Sequence, residues 1–116
     1  MSGEKNFKVP KNMPNDAVDV FLLLMDCSAK IRIMRDLLSG TKSFKQLSAS
    51  TQCMGWQLKG YLKDLTEYGL IRTTIYPGAP AGVEYTPTQL GEQMKPAINN
   101  MAEWGHSYKA LAKSKY

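Results

Sequence analysis

Histidine is nearly missing from this 116-residue chain, which holds His106 alone, and cysteine is scarce, with only Cys27 and Cys53. With one histidine and scattered carboxylates, neither a histidine-based metal cluster nor a Ser/His/Asp triad can be assembled. No glycine-rich loop follows a strand to cradle a phosphate. The chain therefore reads as a non-enzyme with no cofactor and no metal. Two cysteines are too few for a disulfide scaffold and suit a reducing cytosol. Long hydrophobic runs are also missing: the longest, Val20–Met25, covers six residues, against about twenty for a transmembrane helix. The polar start, Met1-Ser-Gly-Glu-Lys-Asn, has no hydrophobic signal region. These absences point to a cytoplasmic protein without a membrane partner.

What is present is the composition of one globular domain, 43% hydrophobic and 22% charged. At this length roughly two-thirds of the unfolded surface is buried, enough for a core without staples. The net charge of +5 is unevenly spread. Residues 28–72 hold Lys30, Arg32, Arg35, Lys42, Lys45, Lys59, Lys63 and Arg72 against Asp36, Asp64 and Glu67. That segment alone accounts for +5, while residues 1–27 sum to −1 and residues 73–116 to +1. Such a block attracts polyanions through counterion release, or else forms a solvated basic face.

Along the chain, residues 1–13 read as a flexible arm, and residues 14–116 as the folded domain. Asp16–Met25 is apolar on all sides, so the short helix it forms must be buried, with a partner subunit supplying cover. Lys30–Leu38 is an amphipathic helix with Ile31, Ile33, Met34, Leu37 and Leu38 inward. Ser43 and Gln46 form a capping box that opens a short helix through Leu47. A Ser/Thr-rich turn at 48–52 leads to a longer helix near Met54–Tyr68, with Leu58, Leu62 and Leu65 inward and Gly69 ending it. The period then switches to two over Leu70–Tyr76 and Val83–Thr86, joined by an irregular hairpin tip at 77–82. Three helices followed by a β-hairpin describe a winged helix-turn-helix, mainly α with a small β-hairpin wing.

The last segment, about 88–113, carries an apolar seam. Leu90, Met94, Ala97, Met101, Trp104, Tyr108 and Leu111 recur at alternating spacings of four and three, a heptad pattern that faces another helix. Pro96 is expected to kink this helix. The seam, together with Val18, Phe21 and Leu22 of the first helix, predicts a homodimer joined through N- and C-terminal helices. Packing on the protein's own body is the alternative.

Particular stretches resemble the HxlR-type regulators, relatives of the MarR group. Asp36-Leu-Leu-Ser-Gly-Thr-Lys-Ser-Phe-Lys-Gln-Leu47 is similar to the start of their helix-turn-helix. Leu62-Lys-Asp-Leu-Thr-Glu-Tyr-Gly-Leu-Ile-Arg72 is similar to the end of their recognition helix and their first wing strand. Tyr76-Pro-Gly-Ala-Pro-Ala-Gly-Val-Glu-Tyr85, Thr88-Gln-Leu-Gly91 and Met101-Ala-Glu-Trp-Gly105 match their wing, the helix after it and their terminal Trp-Gly. The resemblance covers about residues 16–108 and implies a small homodimeric regulator that places one helix per subunit in a major groove of double-stranded DNA. The chain departs from the family in four places. Asp16 stands near the place of a redox-sensing cysteine, and Ser28-Ala29-Lys30 near that of a Gly-Lys-Trp motif. Cys53-Met-Gly-Trp occupies the turn before the recognition helix, and Gly82 the place of a basic wing-tip residue.

Residue by residue, Gln57 and Lys59 are the expected base or base-adjacent contacts and Lys63 a phosphate contact. Trp56 either touches thymine methyls or sugars or is a partly buried core or turn anchor. Gly55 and Gly60 cost about 1 kcal/mol each in a helix relative to alanine, which either close approach to DNA or local wobble would explain. Lys42, Ser43 and Lys45 sit at a helix N-terminus suited to a phosphate, with Ser43 foremost a cap. Arg72 reaches a phosphate or lies across the wing. Cys27 and Cys53 are candidate redox residues or ordinary small side chains. The seven methionines are core filler or the lining of an effector pocket. The expected function is a sequence-specific transcriptional regulator, a repressor on a pseudo-palindromic operator, with a small-molecule or redox effector left open. The alternative is a winged-helix module that binds protein rather than DNA.

Overall fold

The computed structural model describes residues 10–77 and 82–115. Residues 1–9 of the expected arm and 78–81 of the hairpin tip lie outside the described residues. The elements run α1 (Ala17–Leu24), α2 (Ser28–Leu38), β1 (Lys42–Ser43), α3 (Phe44–Thr51), α4 (Gly55–Glu67), β2 (Ile71–Ile75), β3 (Val83–Pro87), α5 (Gln89–Glu92) and α6 (Lys95–Lys115). The three strands form one antiparallel sheet in the order β1-β3-β2. Within it Thr73 faces Tyr85, and Ser43 faces Glu84. This is the expected winged helix-turn-helix, with the β2–β3 hairpin as its wing.

The core follows from the helical spacing of apolar residues. Ile33, Met34 and Leu37 of α2, Leu47 of α3, and Leu58, Leu62 and Leu65 of α4 are buried together with Leu70, Ile71 and Ile98. The capping box forms as the sequence indicates: Gln46 N donates to Ser43 Oγ at 3.1 Å and Ser43 N to Gln46 Oε1 at 2.9 Å. Gly69 takes a left-handed φ of 79° where α4 must turn into β2.

Several expectations are corrected. Helix α2 begins at Ser28 with Cys27 as its N-cap, and α3 continues to Thr51 instead of stopping at Leu47. Its Ser/Thr stretch stays helical because the Thr51 hydroxyl donates back to the Leu47 carbonyl at 2.7 Å and Ser50 donates to the Asp36 carboxylate of α2. The two-residue strand β1 was not expected; it pairs with β3 through Lys42 and Ser43. Pro96 does not kink a continuous helix. The break falls before it, between α5 and α6, and Pro96 sits in the first turn of α6, where its missing N–H is not needed. Met94 is the residue whose carbonyl takes the first turn's bond, from Ile98 N at 3.0 Å.

Thr88-Gln-Leu-Gly91 turns out to be a joint. The buried Thr88 hydroxyl donates to the Gly69 carbonyl at 2.6 Å and accepts from Gly91 N at 3.0 Å, while Thr88 N donates to the Leu70 carbonyl at 3.0 Å. A Cβ on Gly91 would overlap the Leu70 carbonyl oxygen and crowd Met34 Cε at 3.3 Å. Only glycine lets α5 approach the start of β2 this closely.

Helix α1 is capped by Asp16, whose carboxylate accepts from Val18 N at 2.8 Å. None of its residues is buried by this chain. Val18 (66% exposed) and Leu22 stand in solvent, while Phe21 and Leu24 pack against the core edge. The α6 seam divides in the same way. Leu90 and Met94 pack on the chain's own core, whereas Ala97, Met101, Trp104, Tyr108 and Leu111 are exposed. Helix α6 contributes to a long shape, 56 × 36 × 24 Å.

Candidate nucleic-acid interface

Helix α4 presents three faces, set by its 3.6-residue turn. Leu58, Leu62 and Leu65 form the buried face. Tyr61, Asp64 and Tyr68, spaced three and four apart, turn toward the first turn of α2, where Lys30 Nζ meets Asp64 Oδ2 at 3.0 Å and lies 5.4 Å from the Tyr68 ring centre. Trp56, Lys59, Gly60 and Lys63 make up the solvent face. Trp56 is 73% exposed, so it is no core anchor. A Cβ added at Gly55 or Gly60 would meet nothing within 4 Å, so packing inside the chain does not call for either glycine.

Lys59 and Lys63 line an open groove of about 380 Å³ together with Leu62, Thr66, Glu67, Thr73 and Tyr85, between α4 and the wing. The structure thus gathers Trp56, Lys59 and Lys63 on one surface and sets the wing beside it. Gln57 is different. It lies on the flank of α4, half-buried, and its Oε1 accepts from Met54 N at 3.3 Å. Arg72 is exposed but does not converge on the groove. Ile71 is buried and Thr73 lines the groove, so strand alternation places Arg72 on the opposite face of the wing.

At the start of α3, Lys45 is exposed and Lys42 is half-buried, its Nζ 3.4 Å from Ser39 Oγ and 3.5 Å from the Gly40 carbonyl. The Ser43 hydroxyl is occupied as the cap. Cys27 and Cys53 are both free and half-buried. Both act on Tyr61, whose hydroxyl is held above its ordinary value by Cys27 first, then by burial and by Cys53.

Sequence reasoning missed Lys30. Its charge places it in the polyanion-attracting block, but it is 3% exposed and held between Asp26 Oδ1 and Asp64 Oδ2, each at 3.0 Å. Burial alone would depress this ammonium; the two carboxylates and Tyr68 outweigh it and raise its pKa above the ordinary 10.5. The signal was present, because Lys30 falls in helical phase with the inward Ile33, Met34 and Leu37. Among the described residues, no group of three or more His, Cys, Asp or Glu could hold a metal ion, and no helix is long and apolar enough to cross a membrane.

An exposed cationic helix behind a capped first helix, flanked by a β-hairpin, defines the winged helix-turn-helix class. Within that class, the HxlR-like helix-turn-helix family matches residues 25–113, and the chain belongs to it. Among curated relatives, an HTH-type transcriptional regulator YkvN of Bacillus subtilis is 38% identical over 47 residues, 40% of each chain. Another, sll1512 of Synechocystis, is 30% identical over 86 residues, 73% of this chain and 64% of the relative. The matches thus span about two-fifths to two-thirds of these relatives' lengths. The redox regulator HypR in its reduced form has the same fold, with a TM-score of 0.78 at 24% identity over 85% of this chain and 99% of that one. A MarR-family regulator from Porphyromonas gingivalis W83 superposes with a TM-score of 0.75 at 25% identity, over 85% and 96%. The family is one of helix-turn-helix transcriptional regulators, which are not enzymes.

Proposed function

We propose that the chain is a sequence-specific DNA-binding regulator that acts as a homodimer on a pseudo-palindromic operator. One observation carries this reading: α4 places Trp56, Lys59 and Lys63 on a single solvent face beside the wing, the arrangement a major-groove helix uses for base edges and phosphates. The open space over Gly55 and Gly60 supports close approach of the duplex backbone to the helix. Lys45, at the capped start of α3, supplies a second phosphate contact at a helix N-terminus. Met101, Trp104, Tyr108 and Leu111, with Val18 and Leu22, supply the apolar surface for a second copy. A compact domain of this kind represses by occluding a promoter, in the compartment that holds the DNA.

Selection from a pool of random duplexes, repeated across salt concentrations, tests the reading. Recovery of an inverted repeat, with log affinity falling steeply against log salt, is the expected result. Replacing Lys63 by Ala should then weaken binding to all sequences and reduce the salt slope by about one. Weak binding with no enriched sequence would leave the winged helix as a protein-binding module.

A further inference from the structure

We infer that Lys30 is the positioning residue of the DNA-reading helix: its ammonium grips the C-terminal half of α4 at Asp64 and Tyr68 and fixes the angle at which Trp56, Lys59 and Lys63 meet the duplex. This inference rests on the DNA-binding reading above and names the part of the fold that sets its geometry.

Among the described residues, Lys30 is the single buried charge; the other buried polar side chains are Thr51 and Thr88. Keeping an ammonium out of water is costly, and a buried ion pair adds little stability over a packed apolar side chain. Its best-attested use is to fix one arrangement among several that apolar packing tolerates. The contacts have that form. Asp64 and Tyr68 stand one turn apart on the same face of α4, and Lys30 meets the carboxylate at 3.0 Å and the ring at 5.4 Å. Its second carboxylate, Asp26 at 3.0 Å, belongs to the short corner between α1 and α2. The leucines on the adjacent face of α4 are buried by non-directional packing, and the ion pair adds a directional contact from that helix to the start of α2. Asp64 borders the solvent face, sharing an open pocket with Trp56 and Gly60, while Lys59 and Lys63 line the separate groove beside the wing.

Asp64 is partly exposed, so Asp64→Ala tests the grip without emptying the core. The electrostatic sign separates the explanations. Removing a carboxylate near a DNA-facing surface should tighten binding to every duplex if charge alone matters. The positioning role predicts the reverse for the selected duplex: at least a tenfold loss of affinity, with binding to a random duplex of equal length unchanged or tighter. Asp26→Ala makes the same change in net charge away from α4 and should keep the wild-type ratio of selected to random affinity. Asp64→Glu should recover part of what Asp64→Ala loses. A readout independent of DNA accompanies these, the amide hydrogen exchange of α4 in the full chain, which should accelerate in Asp64→Ala relative to α2. If Asp64→Ala leaves both the duplex ratio and α4 exchange at wild-type values, or if Asp26→Ala matches its loss, the inference is overturned. If the wild-type chain selects no duplex, the regulator reading falls, and α4 exchange alone decides whether Lys30 holds the helix.

Discussion

Helices α4 and α6 each turn one face to the core and another to solvent, and the two outward faces differ in kind. Helix α4 shows Trp56, Lys59, Gly60 and Lys63. Helix α6 shows Met101, Trp104, Tyr108 and Leu111, with the rings of Trp104 and Tyr108 stacked 5.3 Å apart. Cations on a surface lose nothing by remaining in water until a polyanion arrives, whereas a row of large apolar side chains gains by being covered at once. The proposed function turns this difference into one permanent contact and one conditional contact: a second copy covers α6 and α1, and α4 stays in water until DNA binds.

The largest expected effect breaks the apolar side of that contrast. Trp104→Asp places a charge in the exposed seam and should weaken self-association at least a hundredfold, read by sedimentation equilibrium, because aromatic anchors carry about 2–4 kcal/mol or more of an interface. The fold of the single chain should survive, since Trp104 is 68% exposed in it. Next in size is the joint that connects α5 and α6 to the wing. Gly91→Ala forces a methyl against the Leu70 carbonyl and should cost about 1–3 kcal/mol by denaturant unfolding, the usual price of overpacking.

A smaller effect sharpens the cationic side and has opposite signs in two assays. Gly60→Ala meets open space and should stabilise the folded chain by up to about 1 kcal/mol, while weakening binding to the selected duplex. Stabilisation with unchanged DNA affinity would remove the proposed reason for a glycine there.

The smallest effect is the alkaline limit of stability. Lys30 is raised above 10.5 by the balance of burial against its carboxylate partners. Tyr85 is raised above 10.0 by burial, and Tyr76 by its hydrogen bond to Glu84 first. A folded-state pKa above the unfolded value gives stability that is complete below the unfolded pKa and is lost as pH rises through the folded one. Denaturant midpoints should therefore stay level with respect to these groups up to about pH 10 and fall above it, with a shallower fall in Asp64→Ala.

Much of this architecture was legible because it depends on neighbours in sequence. The Ser43–Gln46 box, the Leu58, Leu62 and Leu65 stripe and the Gly69 turn each involve residues within about two helical turns. The sequence alone leaves Trp56 open between a DNA contact and an anchor; α4 is what places it on one surface with Lys59 and Lys63. What escaped depends on distant partners. Strand β1 exists because β3, some forty residues on, offers an edge to Lys42 and Ser43. The Ser48–Thr51 stretch read as a turn because hydroxyl residues compete with backbone bonds, yet Thr51 and Ser50 spend their hydroxyls on Leu47 and on Asp36. The heptad spacing runs through Pro96 and so points to a helix interior, although Leu90 and Met94 serve the chain's own core and only the later seam is exposed. Lys30 carried a charge that argued for solvent, and only Asp26 and Asp64 converging on it explain its burial.

In the proposed function, α1 and α6 hold two copies together while the α4 of each copy enters a groove. Hydroxyl-radical footprinting of the duplex recovered by selection tests it most directly. Two protected patches related by a dyad are expected, with centres about 34–36 Å apart, one turn of DNA. A single protected patch, or uniform weak protection without a dyad, would contradict it.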